Sequence, residues 1–284
     1  MMNRSLLRRA ALGALFAATA LSGVNTASAD EALDGLKEQG FARIAIANEP
    51  PFTAVNPDGS VSGAAPDVAR AVFKKLGVDD VVASISEYGA MIPGLQAKRF
   101  DAVTAGLFMK PERCAAVAYS EPILCDAEAF ALKAGNPLGL KSFEDIADSK
   151  DAKIGAPGGG TEERLALEAG VPRERVIVVP DAQSGLTMLQ QGRIDVYSLP
   201  ILSIRALVDK AGDKSIEVVA PVEGAPVYCD GAAFRKDQTA LRDAFDVELA
   251  KMKESGEFAK IVEPYGFSAK AAMSTSREKL CAAK

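Results

Sequence analysis

Apolar and polar positions along the chain follow two alternating patterns. Short apolar runs at 42–47, 81–85 and 100–105 are typical of strands that are buried on both faces. Between them, apolar residues recur at helical spacing over 66–76 and 88–98. The second half of the chain repeats this alternation, with predicted strands at 152–157, 175–179 and 193–198 and predicted helices at 161–168, 182–191 and 201–210.

Strands that alternate with helices predict an α/β fold of mostly parallel sheets covered by helices on both faces. Apolar or proline-marked stretches near 125–133 and 219–227 leave the alternation, and we interpret them as crossings between two lobes. The closing run 239–266 is helical and brings no new strand, so we expect it to pack on the first lobe. In such folds ligands bind at the carboxyl ends of the strands.

The first 29 residues have the pattern of a secretory signal. Three arginines precede the apolar run 10–24, and Ala27–Ala29 forms an A-x-A cleavage pattern, which predicts cleavage before Asp30. About 15 apolar residues are too few to favour a membrane anchor. The pair Arg8–Arg9 leaves both the general secretory and the twin-arginine routes open. We expect a soluble protein exported to the periplasm.

Charge and composition exclude several classes of function. The predicted mature chain has 30 basic and 38 acidic residues, a net charge of −8, which disfavours binding to nucleic acid. The chain contains no histidine, so Ser-His and Cys-His catalytic pairs and histidine-ligated metals are excluded. We therefore predict no metal, no cofactor and no enzymatic activity.

The four cysteines are candidates for disulfides, because an exported chain enters an oxidising compartment and no C-x-x-C spacing occurs. Cys114, Cys125, Cys229 and Cys281 permit three pairings, and the sequence leaves all three open. We favour a Cys229–Cys281 bridge, since it would hold the C-terminal tail.

Aromatic residues stand at three predicted strand-to-loop junctions. Phe52 follows the double proline that ends the first strand, and Glu49 precedes it. Tyr88 opens a helix after the strand 81–85, and Phe108 follows the strand 100–105. Each ring, taken singly, is also compatible with ordinary core packing. Together they are candidates for the wall of a binding site.

Two further segments are candidates for binding a carboxylate. Arg113 follows a proline-started turn and could present its planar guanidinium to a ligand, although a surface ion pair is the alternative. The glycine loop 155–160 leads into Thr161 and Glu162 at a helix start, but it lacks the lysine of a phosphate-binding loop. Backbone N–H groups there could hold an anion, while the alternative is Thr161 as a simple helix cap.

The order of these motifs resembles that of the family 3 extracytoplasmic solute-binding proteins, the polar amino-acid binders of ABC importers. The resemblance covers nearly all of residues 38–268. It is carried by "NEPPFTAVNPDGSVSGAAPDVARAVFKKLG" (48–77), "MIPGLQAKRFDAVTAG" (91–106), "MKPERCAAVAYSEPI" (109–123), "GAPGGGTEERL" (155–165) and "LQQGRIDVYSL" (189–199).

The resemblance implies a type II periplasmic-binding-protein fold, in which two lobes joined by a two-strand hinge close over one ligand. We predict lobe one at 30–127 plus 223–284 and lobe two at 128–222. It also implies a monomer that delivers its ligand to the membrane permease of an ABC importer, and it makes Arg113 and Thr161 the clamp for the ligand carboxylate.

The chain departs from the family where the α-ammonium group of an amino acid binds. The family has an aspartate at the position of Leu199, and a serine or threonine within 107–110. Rings at Phe52, Tyr88 and Phe108 suit a diffuse cation instead, with the Glu49 carboxylate beside it. The pattern is similar to that of family members that bind ectoine or hydroxyectoine.

We therefore expect a small zwitterionic compatible solute, with Glu162 as an additional contact. A polar or modified amino acid of the opine kind, or a betaine, is the alternative ligand. A periplasmic cyclohexadienyl-type dehydratase, with Glu49 as proton donor, is the alternative class of function.

Overall fold

The computed structural model describes residues 27–282, with side chains from residue 31. The predicted signal segment 1–29 lies almost entirely outside the described residues. Within 27–282, no helix is long and apolar enough to cross a membrane. The strands are β1 (Phe41–Ile46), β2 (Ala54–Val55), β3 (Val61–Ser62), β4 (Asp80–Ile85), β5 (Ala102–Val103), β6 (Ala118–Tyr119), β7 (Cys125–Asp126), β8 (Glu128–Lys133), β9 (Ile154–Pro157), β10 (Val176–Val179), β11 (Val196–Pro200), β12 (Ile216–Val219), β13 (Tyr228–Cys229) and β14 (Ala233–Phe234).

Helices fill the connections between these strands, close to where the hydrophobic spacing predicts them. The helix predicted at 161–168 has these same bounds, and those predicted at 66–76, 88–98, 182–191 and 201–210 differ by at most two residues at either end. The helices are α1 (Ala27–Gln39), α2 (Ala64–Lys75), α3 (Tyr88–Gln96), α4 (Pro111–Ala116), α5 (Phe143–Asp148), α6 (Thr161–Glu168), α7 (Ala182–Gln190), α8 (Ile201–Ala211), α9 (Thr239–Ser255), α10 (Glu257–Val262), α11 (Ala269–Met273) and α12 (Arg277–Cys281).

Two five-stranded sheets organise the described chain. The first has the order β4-β1-β5-β14-β6 and the second the order β10-β9-β11-β8-β12. In each sheet one strand runs against the others: β14 in the first and β8 in the second. These are the strands that follow the two chain crossings. The predicted two-lobed α/β fold of mostly parallel sheets is confirmed, while the lobe boundaries after residues 127 and 222 stay a prediction.

The crossings between the sheets meet as a short antiparallel pair. Strand β7 pairs with β13, with Cys125 opposite Cys229 and Asp126 opposite Tyr228. A disulfide joins Cys125 to Cys229 in this pair. The paired crossing segments thus have the geometry of a hinge with a covalent link across it.

The C-terminal helices pack on the first sheet, as the sequence predicts. Helix α9 contacts α1, α2 and β14. Its Phe245 lies edge-on to Phe73 of α2 and Phe234 of β14, with ring centroids 5.6 and 5.4 Å apart. The end of the chain therefore completes the core of the first lobe.

The pairing of cysteines differs from the one that we favoured. The structure joins Cys114 to Cys281 and Cys125 to Cys229, so the expected Cys229–Cys281 bridge is wrong. Sequence spacing alone does not determine which cysteines meet in space. The tail is nevertheless held by a disulfide, because Cys281 ends α12 and binds Cys114 of α4.

Replacing both Cys114 and Cys281 by serine should destabilise the protein. The two residues are 167 apart in sequence, so their bridge restricts a large loop of the unfolded chain. We expect a loss of about 2–5 kcal/mol in the free energy of unfolding. Urea unfolding of the oxidised variant and wild type measures the loss. Equal midpoints and slopes for the two proteins would contradict a stabilising role.

Candidate ligand-binding site

The carboxyl ends of the parallel strands of both sheets face each other across one cleft. In the first lobe, the segments after β1, β4 and β5 carry Glu49, Tyr88 and Phe108. In the second lobe, those after β9 and β11 carry Thr161 and Ser203. Hydrogen bonds join the two rims: Ser203 Oγ to Glu49 Oε1 (2.7 Å), Gly89 N to Gly158 O (3.1 Å) and Arg113 Nη2 to Gly159 O (2.9 Å).

Glu49 is a carboxylic acid buried at the centre of this cleft, with 4% of its surface exposed. The turn that holds it is closed by two hydrogen bonds with Thr53: Glu49 N donates to Thr53 Oγ1 (3.1 Å), and Thr53 N donates to Glu49 O (3.0 Å). Its side chain accepts from Ser203 Oγ and, at 3.3 Å, from the hydroxyl of Tyr88. Both of its oxygens are thus oriented by neighbouring hydroxyls.

Burial raises the pKa of Glu49 to about 8, and the negative charge of Glu162 adds to the rise. The hydrogen bonds from Ser203 and Tyr88 act in the opposite direction. Near neutral pH the carboxyl therefore tends to hold a proton. A cation placed beside it would restore the ionised form, because an opposite charge stabilises a carboxylate.

The three predicted rings differ in their surroundings. Phe52 is 1% exposed and lies edge-on to Phe267 and Phe108, with centroids 4.6 and 6.0 Å away. A Cβ atom on Gly106 would come within 2.9 Å of the Phe52 ring, so this ring fits against a glycine. Phe108 also stacks on Tyr228, 5.7 Å away. Phe52 and Phe108 therefore pack as one cluster.

Tyr88 stands apart from that cluster and faces the acid. Its single O–H is shared between Ala105 O at 3.0 Å and Glu49 Oε2 at 3.3 Å. Burial, together with the charges of Glu49 and Glu162, raises the pKa of Tyr88 well above its usual value. Its hydroxyl therefore stays protonated and acts as a donor.

Arg113 lies on the short helix α4 and reaches across the cleft. Its Nη1 donates to Phe108 O at 2.9 Å, and its Nη2 donates to Gly159 O of the second lobe. Cys114, the next residue, ties α4 to the C-terminal tail through its disulfide with Cys281. A guanidinium has five N–H groups, so three of them remain for another partner.

The glycine loop after β9 leads into α6, and Thr161 is not the residue that caps this helix. Gly160 occupies the cap position with no side-chain cap bond, and Thr161 is the first residue of the helix. The interpretation of Thr161 as the helix cap is therefore wrong. Thr161 and Glu162 are both buried at the helix start, where free N–H groups favour an anion.

Five of the seven predicted site residues line one small cavity between the lobes. Its wall consists of Tyr88, Gly106, Phe108, Arg113, Thr161, Glu162 and Pro200. Glu49 adjoins it through Tyr88, and Phe52 packs behind Phe108. The cavity measures about 10 Å³, about the space of one water molecule, so the lobes must separate to admit a ligand.

A second cavity in the same cleft measures about 60 Å³ and is lined by Glu49 and Tyr88 together with Gly158 and Tyr197. Other cavities lie away from these residues. One of about 430 Å³ is lined by Leu138, Gln190 and Ile216 among others, at the opposite end of the second sheet from α6. The converging acid, guanidinium and helix start are all at the interlobe cleft, so we place the candidate site there. Among residues 27–282 no cluster of histidine, cysteine, aspartate and glutamate has the arrangement of a metal site.

The structure adds residues that the sequence analysis missed. Ser203 binds Glu49 and lies four positions after Leu199, which is itself buried in the core of the second lobe. Lys110 and Glu128 are buried close to Arg113 and Glu162. The sequence does contain a feature that points to Lys110: it lies two residues after Phe108 and begins the "KPER" run that ends at Arg113. No sequence signal pointed to Ser203.

Two sheets joined by paired crossings and meeting at one cleft define the class of two-lobed periplasmic binding proteins. Residues 42–268 match the sequence model of a protein family, the bacterial extracellular solute-binding proteins, family 3. The chain therefore belongs to this family. A "probable amino-acid ABC transporter periplasmic-binding protein" of Sinorhizobium fredii is 35% identical over 91% of this chain and 85% of its own length.

Two solved structures are informative for the site. The crystal structure of EhuB in complex with hydroxyectoine is 84% identical, with a TM-score of 0.89, and covers 90% of this chain and 99% of its own. An ancestral amino-acid-binding protein, described as a precursor of cyclohexadienyl dehydratase, is 27% identical with a TM-score of 0.71. It covers 82% of this chain and 98% of its own.

Proposed function

We propose that this protein is the substrate-binding component of an ABC importer and captures ectoine or hydroxyectoine between its lobes. The observation that carries the proposal is that one interlobe cleft holds a buried acid, Glu49, together with the guanidinium of Arg113 and the start of α6. A small zwitterion matches this combination of an acid and anion-binding groups. The likeness to EhuB with hydroxyectoine supports this ligand class.

The cationic half of the ligand would lie against Glu49, Tyr88 and Phe108. An amidinium ring spreads its charge over several atoms, so aromatic faces attract it by about 0.5–2 kcal/mol each. Its N–H groups would donate to the Glu49 carboxylate, which replaces the aspartate that the family has at the position of Leu199. Phe52 would act by supporting Phe108, or by direct contact once the lobes adjust around the ligand.

The carboxylate half would bind Arg113 and the start of α6. The guanidinium has N–H groups free for a two-point contact with a carboxylate. The hydroxyl of Thr161 and the backbone N–H groups of α6 would complete the set, and Glu162 would contact the ligand from the same helix. A ligand carboxylate left without these donors in a closed cleft would be strongly disfavoured.

Closure of the lobes would use the residues that hold the ligand. Glu49 binds Ser203 across the cleft, and Arg113 binds Gly159. Next to them Gly89 of α3 meets Gly158 and Gly159 backbone to backbone. Ligand capture and closure would therefore reinforce each other, because the same side chains serve both.

The proposed setting is the periplasm, with a monomer that is exported by its N-terminal signal and docks on membrane permease subunits. The family is one of extracellular solute-binding proteins, which supports this setting. We propose no enzymatic activity.

One observation favours a second class of function. Glu49 has its pKa raised to about 8 and could donate a proton, as a cyclohexadienyl-type dehydratase would require. Incubation with prephenate and arogenate separates the two: unchanged substrates support a binding protein, and turnover supports a lyase.

A panel of ligands tests the proposed function directly. Ectoine and hydroxyectoine at 100 times their Kd should raise the melting temperature of the mature chain by about 5–10 °C. Free arginine and glutamine should leave it unchanged, since the cleft lacks an acceptor set for an α-ammonium group. Thermal unfolding followed by calorimetry gives the comparison. Stabilisation by arginine with none by ectoine would overturn the ligand assignment.

The affinity for ectoine should depend on pH through Glu49. The ligand-free carboxyl is protonated below its pKa of about 8, and a bound cation requires it ionised. Affinity should therefore fall, by up to tenfold per pH unit, as pH drops from 8 to 6, and should level off above 8. Calorimetric titrations across this range measure the slope. Glu49→Gln should bind more weakly and lose most of the slope; an unchanged slope would contradict the assignment.

A side chain at Gly159 should prevent full closure. A Cβ atom there would lie 2.5 Å from the backbone of Gly89, and the residue has a φ of +71°. We expect Gly159→Ala to weaken ectoine binding at least tenfold, mainly through faster dissociation. Gly192→Ala is the matched control, because it has a φ of +68° with nothing within 4 Å of its Cβ. Equal affinities of the two variants, measured by stopped-flow tyrosine fluorescence, would contradict the closure contact.

A further inference from the structure

The first turn of helix α8 is held from the hinge rather than by its own cap residue. Pro200 occupies the cap position of α8 and makes no side-chain cap bond. The N–H of Ile201 donates to Ala127 O at 2.9 Å. The N–H of Leu202 donates to Asp126 Oδ2, also at 2.9 Å. Because the first N–H groups of a helix have no partner within the helix, these two bonds fix the position at which α8 begins.

Asp126 is well suited to cap α8. Its second carboxyl oxygen, Oδ1, accepts from Ala127 N at 2.8 Å, so both oxygens are held in place. Burial raises the pKa of Asp126 to about 6, while the bonds from Leu202 and Ala127 act to lower it. The carboxyl is therefore ionised at pH 8, and a negative charge at the N-terminus of a helix is stabilising.

Ser203 follows Leu202 in the same turn and connects α8 to the buried acid of the cleft. It is 2% exposed, and its Oγ donates to Glu49 Oε1 at 2.7 Å. Such a bond weakens steeply when its atoms move apart or out of line. The position of the first turn of α8 therefore determines whether Ser203 reaches Glu49. Through this turn Asp126 acts on Glu49 without contacting it.

Tyr228 stands opposite Asp126 in the hinge ladder and contacts another wall of the cleft. Its ring stacks on that of Phe108, with centroids 5.7 Å apart and planes inclined by 20°. Phe108 in turn lines the interlobe cavity. Since successive strand residues point to opposite faces, Asp126 and Tyr228 share the face of the ladder that the Cys125–Cys229 disulfide does not occupy. One ladder pair therefore supports two parts of the cleft.

We propose that Asp126 and Tyr228 are positioning residues for the cationic half of the ligand. Asp126 holds Ser203 against Glu49 through the first turn of α8. Tyr228 holds the ring of Phe108 at the cavity wall. The geometry of the cation site is then set by the hinge as well as by the residues that line the cleft. This inference rests on the proposed function, because it takes ectoine as the ligand and places its cation beside these groups.

Asp126→Ala tests the first arm of the proposal. The variant loses the cap of α8 and should bind ectoine at least fivefold more weakly at pH 8. Ser142→Ala is the matched control, because Ser142 caps α5 of the second lobe by accepting from Asp145 N at 3.0 Å and lines neither interlobe cavity. Each variant should lose about 2–4 °C in melting temperature. Only Asp126→Ala should lose affinity in calorimetric titration, and equal affinities would overturn its role.

A double-mutant cycle shows whether Asp126 acts through Ser203. Ser203→Ala alone should weaken ectoine binding at least fivefold, because Glu49 loses its donor at 2.7 Å. Adding Asp126→Ala to this variant should cost no more than a further twofold, since the hydroxyl that it positions is already absent. A structural effect independent of Ser203 would multiply the two losses instead. That outcome would overturn the positioning role of Asp126.

Two substitutions of Tyr228 test the second arm and do not depend on Asp126→Ala folding. Tyr228→Leu keeps an apolar side chain but removes the stacked ring, and should bind ectoine at least fivefold more weakly. Tyr228→Phe keeps the ring and should restore binding to within about twofold of wild type. A loss in Tyr228→Phe as large as in Tyr228→Leu would overturn the role of the stack, and so would wild-type affinity in Tyr228→Leu.

The outcomes separate this inference from the proposed function. Wild type that fails to bind ectoine overturns the proposed function itself. Wild type that binds ectoine, with Asp126→Ala and Ser142→Ala binding alike, leaves the proposed function standing and overturns the inference for Asp126.

Discussion

The burial of the Glu49 carboxyl between two lobes is the constraint on which the rest of the site depends. The Oε1 atom of Glu49 accepts from Ser203 Oγ of the second lobe at 2.7 Å, so one acid joins the end of β1 to the start of α8. Removal from water raises its pKa to about 8, which makes a buried cation the natural partner. In the proposed function, the neighbouring aromatic rings would contact such a cation through their faces.

In the function that we propose, ligand binding and lobe closure are linked because they would use the same groups. Arg113 is placed on α4, which the Cys114–Cys281 disulfide ties to the C-terminal tail, and its guanidinium already contacts the second lobe at Gly159. On the opposite side, the Cys125–Cys229 disulfide joins the paired crossing strands. The hinge is thus held covalently, while the rim is held by hydrogen bonds that can open. This distribution suits a protein that must both capture and release its ligand.

The sequence predicts the fold well, because buried strands and amphipathic helices have distinct spacings and the chain keeps them in order. It also predicts which residues stand at strand ends, and five of seven candidates line one cavity. It does not predict the partner of Glu49, since Ser203 lies 154 residues away and is an ordinary helical serine. The disulfide pairing was missed for the same reason. Both kinds of contact depend on which segments meet in space, and that information is absent from local patterns.

A crystal structure of the mature chain grown with ectoine tests the central claim most directly. We predict the ligand carboxylate on the guanidinium of Arg113 and the first N–H groups of α6, with the ring beside Glu49 between Tyr88 and Phe108. A ligand in the reverse orientation, with its carboxylate towards Glu49, would contradict the account. So would a ligand bound outside the interlobe cleft.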